Sequence, residues 1–214
     1  MYESYVLDKA YFVKVIEDLA AIVEEQRDYL TGLDSAIGDG DHGLNLSIGF
    51  REVSKNLSEW QKENLTILFK KIGMALLGKV GGSAGPLYGS LFMKMGEPAG
   101  GKDVVDFNEF CNMLKAGIEA VEMRGKAVVG EKTMVDALRP ALDALTKAVE
   151  DGVAPKIAFE KMLDSAKAGR ESTIPLIAKK GRAMRLGERA IGHVDPGSAS
   201  SCIILEMFYK NMPQ

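Results

Sequence analysis

Asp34, Asp39 and Asp41 lie in the run Asp34-Ser35-Ala36-Ile37-Gly38-Asp39-Gly40-Asp41-His42-Gly43-Leu44-Asn45, where single glycines flank Asp39 and an amphipathic stretch follows. Ionised carboxylates held this close repel one another, and a divalent cation such as Mg2+ is the natural neutraliser. Glycines let the backbone approach an anion, and a helix start offers N–H groups to phosphate. A calcium EF-hand is excluded by the pattern: counted from Asp39, its obligatory glycine would fall at Leu44 and its terminal glutamate at Phe50. A solvated acidic turn without a metal is the plain alternative.

A second run, Gly78-Lys79-Val80-Gly81-Gly82-Ser83-Ala84-Gly85-Pro86-Leu87-Tyr88-Gly89, offers backbone donors around a small hydroxyl and predicts a helix from Pro86. Such a loop can cradle a phosphate. Tight helix packing permitted by glycine is the competing reading. No Gly-x-x-x-x-Gly-Lys-Ser/Thr occurs, so this is not a Walker A loop.

Lys179, Lys180, Arg182, Arg185 and Arg189 concentrate positive charge. Most of them suit a solvated face, and Arg182, between Gly181 and Ala183, is best placed to pair a phosphate. His42 and His193 are the only histidines. His42 adjoins the acids, which favours its charged form, and it can bond a phosphate; a structural role is the alternative for both. Met134 suits either an apolar adenine slot or the core.

These residues must be held by helices, because apolar residues recur at three- and four-residue steps and no alternating strand of four or more residues is found. The expected fold class is all-α. The first helix carries Phe12, Ile16, Leu19, Val23 and Leu30; the second Leu46, Phe50, Val53 and Leu57; the third Leu65, Leu68, Phe69, Ile72 and Leu76. The fourth runs from Pro86 to about Met95, the fifth follows Asp106, and the sixth opens at Thr133-Met134-Val135-Asp136 with a capping-box-like start. The seventh starts at Pro155, with a bend near Pro175, and the eighth follows Pro196-Gly197. The glycine-rich and charged links, 34–43, 78–85, 124–132 and 181–197, follow the odd-numbered helices. In an up-and-down arrangement those links emerge at one end and converge on one rim.

The whole chain fits one domain, 1–214, with an ordinary apolar fraction of 46%. A net charge of −3 gives no basic footprint for nucleic acid. Cys111 and Cys202 sit in apolar helical patterns and read as reduced core thiols. The N-terminal segment carries charges throughout, so neither a signal peptide nor a membrane span is expected, and the expected location is the cytoplasm.

Together these residues resemble one family, the nucleotide-binding L subunit of dihydroxyacetone kinase. The resemblance rests on Leu30-Thr31-Gly32-Leu33-Asp34, Gly38 to Asn45, Val80 to Gly89, Arg124-Gly125-Lys126, Lys132-Thr133-Met134, Lys180-Gly181-Arg182-Ala183 and Gly187 to Gly197, in that order along nearly the whole chain. It implies an antiparallel eight-helix barrel with ADP or ATP bound at one end. Asp34, Asp39 and Asp41 would hold two Mg2+ ions. His42, Gly43, Leu44, Asn45, Ser83 and Ala84 would contact the phosphates, and Gly125, Met134, Arg182, Asp195, Pro196 and Gly197 would complete the site.

The chain ends at Gln214, so it looks like the free-standing subunit of the phosphotransferase-system form rather than a fused ATP-dependent kinase. In that form a K subunit holds dihydroxyacetone, an M subunit carries phosphohistidine, and the nucleotide is a retained phosphoryl carrier. The acceptor hydroxyl would be activated on the partner, so no catalytic side chain is expected here. Two other readings are the nucleotide domain of a fatty-acid kinase-like enzyme and a nucleotide-binding regulator of a transcription factor.

Overall fold

Apolar residues three and four apart become buried helix faces in this computed structural model, which describes residues 2–213. Among the described residues there are nine α-helices. They are α1 (Lys9–Glu25), α2 (Arg27–Ile37), α3 (His42–Trp60), α4 (Leu65–Lys79), α5 (Ala84–Gly96), α6 (Phe107–Gly125), α7 (Val135–Glu150), α8 (Pro155–Ser172) and α9 (Pro196–Lys210). Asp8, Asn64, Asp106 and Asp195 cap α1, α4, α6 and α9 with their side chains, and Pro155 and Pro196 occupy first-turn positions.

From α3 to α9 each helix packs on the next, while α1 packs on both α3 and α9 and so closes a ring of eight positions. Helix α2 continues from α1 and packs on α3 and α9. The ring is filled rather than hollow: Phe12 meets Phe69 and Phe110 at centroid distances of 5.5 and 5.6 Å. Phe110 in turn contacts Phe159 at 5.5 Å and Phe208 at 5.6 Å. All five rings are fully buried, so α1, α4, α6, α8 and α9 share one core.

The expected first helix is divided at Gln26, whose φ of −88° and ψ of 6° leave the helical basin. Helical hydrogen bonding continues across the kink, from Gln26 to Ile22 and from Leu30 to Gln26. The direction of α2 is set by contact with α3: a Cβ on Gly43 would lie 2.0 Å from the Arg27 carbonyl oxygen. The seventh helix ends at Ser172 instead of bending near Pro175, as expected of chain approaching a residue that disfavours helix before it. A 3-10 segment, Arg182–Ala190, fills much of the link to α9.

Two short strands also form, β1 (Val6–Asp8) and β2 (Val104–Asp106), paired antiparallel with Leu7 opposite Val105. Three residues are too few to show an alternating pattern. Each strand ends in the aspartate that caps the next helix, so the pairing ties the starts of α1 and α6 together. The Tyr2 hydroxyl donates to the Val153 carbonyl at 2.6 Å and that of Tyr5 to the Pro213 carbonyl at 2.8 Å. Both ends of the described chain therefore lie near the α7–α8 link. No helix among the described residues is long and apolar enough to cross a membrane.

Candidate functional site

The four unusual links meet in one cleft of about 490 Å³. One wall is the end of α2, the Gly38–Asp41 link and the start of α3; a second is Gly81 to Ala84 with Pro86, Leu87 and Tyr88. The third is Val121, Arg124, Gly125 and the 132–135 stretch, and the fourth combines 180–183 with 195–197. The odd-numbered links of the expected eight helices do share one rim.

Asp34, Asp39 and Asp41 each present a carboxylate oxygen within 4.8 Å of the others. Asp34 is in the last turn of α2, buried, and its Oδ2 accepts the backbone N–H groups of Asp41 at 2.9 Å and His42 at 3.2 Å. Asp39 pairs with the Arg182 guanidinium. At Asp41 burial, then Asp39 and Asp34, disfavour the charged form and raise the pKa, against the Asn45 hydrogen bond and Arg182. An all-oxygen, mutually repelling donor set fits a hard divalent cation. Arg182, expected on a phosphate, here sits on a member of that set.

His42 corrects an expectation. Burial outweighs the attraction of Asp34 and lowers its pKa to about 4, so the ring is neutral near pH 7. Its Nε2 lies 2.8 Å from the Ser200 hydroxyl, which is 2.5 Å from the Tyr88 hydroxyl. His42 is thus anchored to α9 through a side-chain chain that also touches α5.

Asn45, Ser83, Ala84, Gly125, Met134, Arg182, Asp195, Pro196 and Gly197 all line the cleft with His42 and the three aspartates. Gly43 and Leu44 do not: Gly43 is packed against α2, and the Leu44 side chain is exposed. They bring only their backbone to the first turn of α3. The glycine-rich run divides between the cleft and the helix packing. Gly81 and Gly82 face the cleft, while a Cβ on Gly89 would lie 2.9 Å from that of Leu77 on α4. His193 has an exposed side chain outside the cleft, and of the basic cluster only Lys180 and Arg182 line it.

The DAK2-domain family model matches residues 36–210. This chain belongs to the DAK2-domain family. It is 54% identical over 209 residues, 97% of this chain and 96% of that protein, to the "PEP-dependent dihydroxyacetone kinase 2, ADP-binding subunit DhaL" of Listeria innocua. Identity to the "PEP-dependent dihydroxyacetone kinase, ADP-binding subunit DhaL" of Escherichia coli is 36% over 201 residues, 94% of this chain and 96% of that protein. The crystal structure of the dihydroxyacetone kinase of C. freundii superposes with a TM-score of 0.71 at 27% identity, over 94% of this chain and 34% of that one. Its complex with AMP-PNP and Mg2+ gives 0.69, over 92% of this chain. This chain spans about a third of that longer kinase chain and nearly all of the L-subunit relatives.

Within this DAK2 domain, the structure buries two ionisable residues beside the cleft that were assigned no site role above. Asp136, 0% exposed, accepts the N–H of Gly130 at 2.6 Å and of Thr133 at 2.7 Å and so folds the 130–133 turn. The expected threonine-led start forms with it: the Thr133 hydroxyl accepts the free N–H of Val135 at 3.1 Å, and Asp136 answers the Thr133 N–H. Lys132, 1% exposed, donates to the carbonyls of Thr173 at 2.6 Å and His193 at 2.5 Å. Burial lowers its pKa, opposed by Asp195 and Asp136. The family resemblance includes this lysine, but no local pattern marks it as buried. Asp195 is pushed up to about 7, by burial first, with Asp136 and Asp34 adding and the Ser198 N–H and Lys132 subtracting.

Proposed function

We propose that this DAK2-domain chain is the nucleotide-binding L subunit of a phosphotransferase-system dihydroxyacetone kinase. Its cleft retains ADP or ATP, and the phosphoryl group passes from a phosphohistidine-carrying M subunit to dihydroxyacetone on a K subunit. The observation that carries this reading is the joining of a carboxylate triad and a glycine loop in one cleft, in a chain 54% identical over nearly its full length to an ADP-binding subunit.

Asp34, Asp39 and Asp41 are the residues that would hold Mg2+, and we take the number of ions to be two. Bound Mg2+ supplies charge neutralisation to phosphate oxygens, which with positioning accounts for most of phosphoryl-transfer catalysis. Gly81 to Ala84 bring backbone to the phosphate side, at the start of α5. Leu87, Val121 and Met134 offer an apolar wall to the base. Arg182 would be free to pair a phosphate if a cation took up Asp39, since guanidinium and cation compete for the same carboxylate. His42, neutral and tied to Ser200, orients rather than abstracts a proton.

Partner proteins must reach this rim. Met123 (80% exposed), Val128 (64%) and Met184 (55%) adjoin, in sequence, the cleft residues Arg124, Ala127 and Ala183. Exposed apolar residues grouped at a charged cleft suit a surface that other proteins cover in turn. The proposed location is the cytoplasm.

The reading is tested by mass spectrometry of the protein purified under native conditions, then by reconstitution. Co-purified ADP or ATP, and phosphorylation of dihydroxyacetone from phosphoenolpyruvate only when the L, K and M chains and the general phosphotransferase proteins are all present, is the expected result. A protein that neither retains nor binds nucleotide in Mg2+ overturns it.

A further inference from the structure

Among the described residues Lys132 is the buried cation, and it makes no ion pair with a carboxylate. Its three ammonium donors meet three backbone carbonyls: Thr173 at 2.6 Å, His193 at 2.5 Å and Ile174 at 3.5 Å. Burying an ammonium is costly unless its donors are taken up, and carbonyls that lose a buried cation are left without a partner.

Those carbonyls are the two ends of a single excursion of the chain. Residues 175–191 leave the barrel after α8 and return at Gly192, whose N–H donates to the Ile174 carbonyl at 2.8 Å. A second tie joins the Thr173 hydroxyl, as acceptor, to the Asp195 N–H at 3.0 Å. The excursion has its own small apolar cluster, Ala178, Ala183, Ala190 and Leu186 around Ile37 of α2, apart from the barrel core. It carries Arg182 to Asp39, and immediately beyond it comes the Asp195–Gly197 turn. Lys132 itself precedes Thr133 and Met134 of the third wall.

We propose that Lys132 is a positioning residue of the nucleotide site, a buried staple that closes the base of the 175–191 excursion and fixes the Arg182 and Asp195–Gly197 wall opposite the 133–134 wall. This rests on the nucleotide-binding reading above. With its donors spent on carbonyls, the ammonium acts through the backbone it gathers. The separate cluster lets that wall loosen without opening the barrel.

The test is hydrogen exchange on the full-length protein without ligand, joined to Mg–ADP binding by calorimetry, for wild type, Lys132→Met, Lys132→Gln and Lys132→Arg. In Lys132→Met and Lys132→Gln, exchange across 173–197 should quicken by about tenfold or more while α4 to α6 keep wild-type protection, and ADP should bind at least about tenfold more weakly. Lys132→Arg, which keeps the charge and the donors, should recover most of both. Unchanged exchange in 173–197, faster exchange throughout the barrel, wild-type ADP affinity despite a loosened segment, or no recovery in Lys132→Arg would each overturn the proposal. The wild-type affinity for Mg–ADP, measured first, reports on the nucleotide reading alone.

Discussion

The Asp34 carboxylate accepts the backbone N–H of His42, the first residue of α3, at 3.2 Å. One acid of the triad is therefore bound into the fold, from the end of one helix to the start of the next. Asp39, by contrast, is exposed and pairs with Arg182. The three carboxylates are equivalent as oxygen donors and unequal as structural parts.

That inequality separates two substitutions. Asp39→Ala should weaken Mg2+-dependent ADP binding by about a hundredfold or more, while unfolding free energy stays within about 0.5 kcal/mol of wild type because the lost ion pair is exposed. Asp34→Ala should lose the same binding and also about 1 kcal/mol of stability with the N–H contacts. Calorimetry and denaturant unfolding without ligand check both, and equal stability losses would refute the distinction.

Gly43→Ala sets helix propensity against packing. Alanine favours a helix interior by about 1 kcal/mol over glycine, but here its Cβ would meet the Arg27 carbonyl oxygen at 2.0 Å and the Thr31 Oγ1 at 2.7 Å. Forcing α2 from α3 should dominate, with a net loss of roughly 2 kcal/mol. A urea midpoint at or above wild type would contradict it.

Asp136→Ala removes the acceptor for two N–H groups on a residue that is 0% exposed. The two donors, on Gly130 and Thr133, are half-buried, so water takes up part of the loss and stability should fall by about 1–2 kcal/mol. Faster hydrogen exchange should centre on residues 126–134, and loss spread evenly over α1 and α9 would argue against this role.

Asp195 supplies a pH dependence. Its pKa rises from the ordinary 3.8 to about 7 on folding, so the folded protein binds the proton more tightly than the unfolded chain. The stability this contributes is complete below about 4 and is lost as pH rises through about 7. Ligand-free wild type should accordingly lose stability relative to Asp195→Asn between pH 4 and pH 8, measured by denaturant unfolding. A difference that grows in the opposite direction would reverse the assignment.

The acids and glycine loop were legible because their composition is unusual at short range, and the rim followed from which links were unusual. Asp34, read as part of a loop, proved to be helical, because no glycine or proline marks the kink at Gln26 and the direction of α2 comes from contact with α3. The charge state of His42 went the other way from its neighbours in sequence, since burial between α3 and α9 is a property of packing. Lys132 lay in plain view in a polar link and Asp136 in a helix start, and only the folded backbone shows that both are buried.

The hydroxyl of Tyr5 reaches the carbonyl of Pro213, and Tyr2 reaches the far end of α7. That helix starts at the cleft and runs for 16 residues, so both ends of the described residues lie about 24 Å from the mouth at 1.5 Å per residue. A polypeptide fused at either terminus would leave the mouth unobstructed. The same ring can thus sit within a larger kinase chain with its cleft open, as in the C. freundii chain of which it spans about a third.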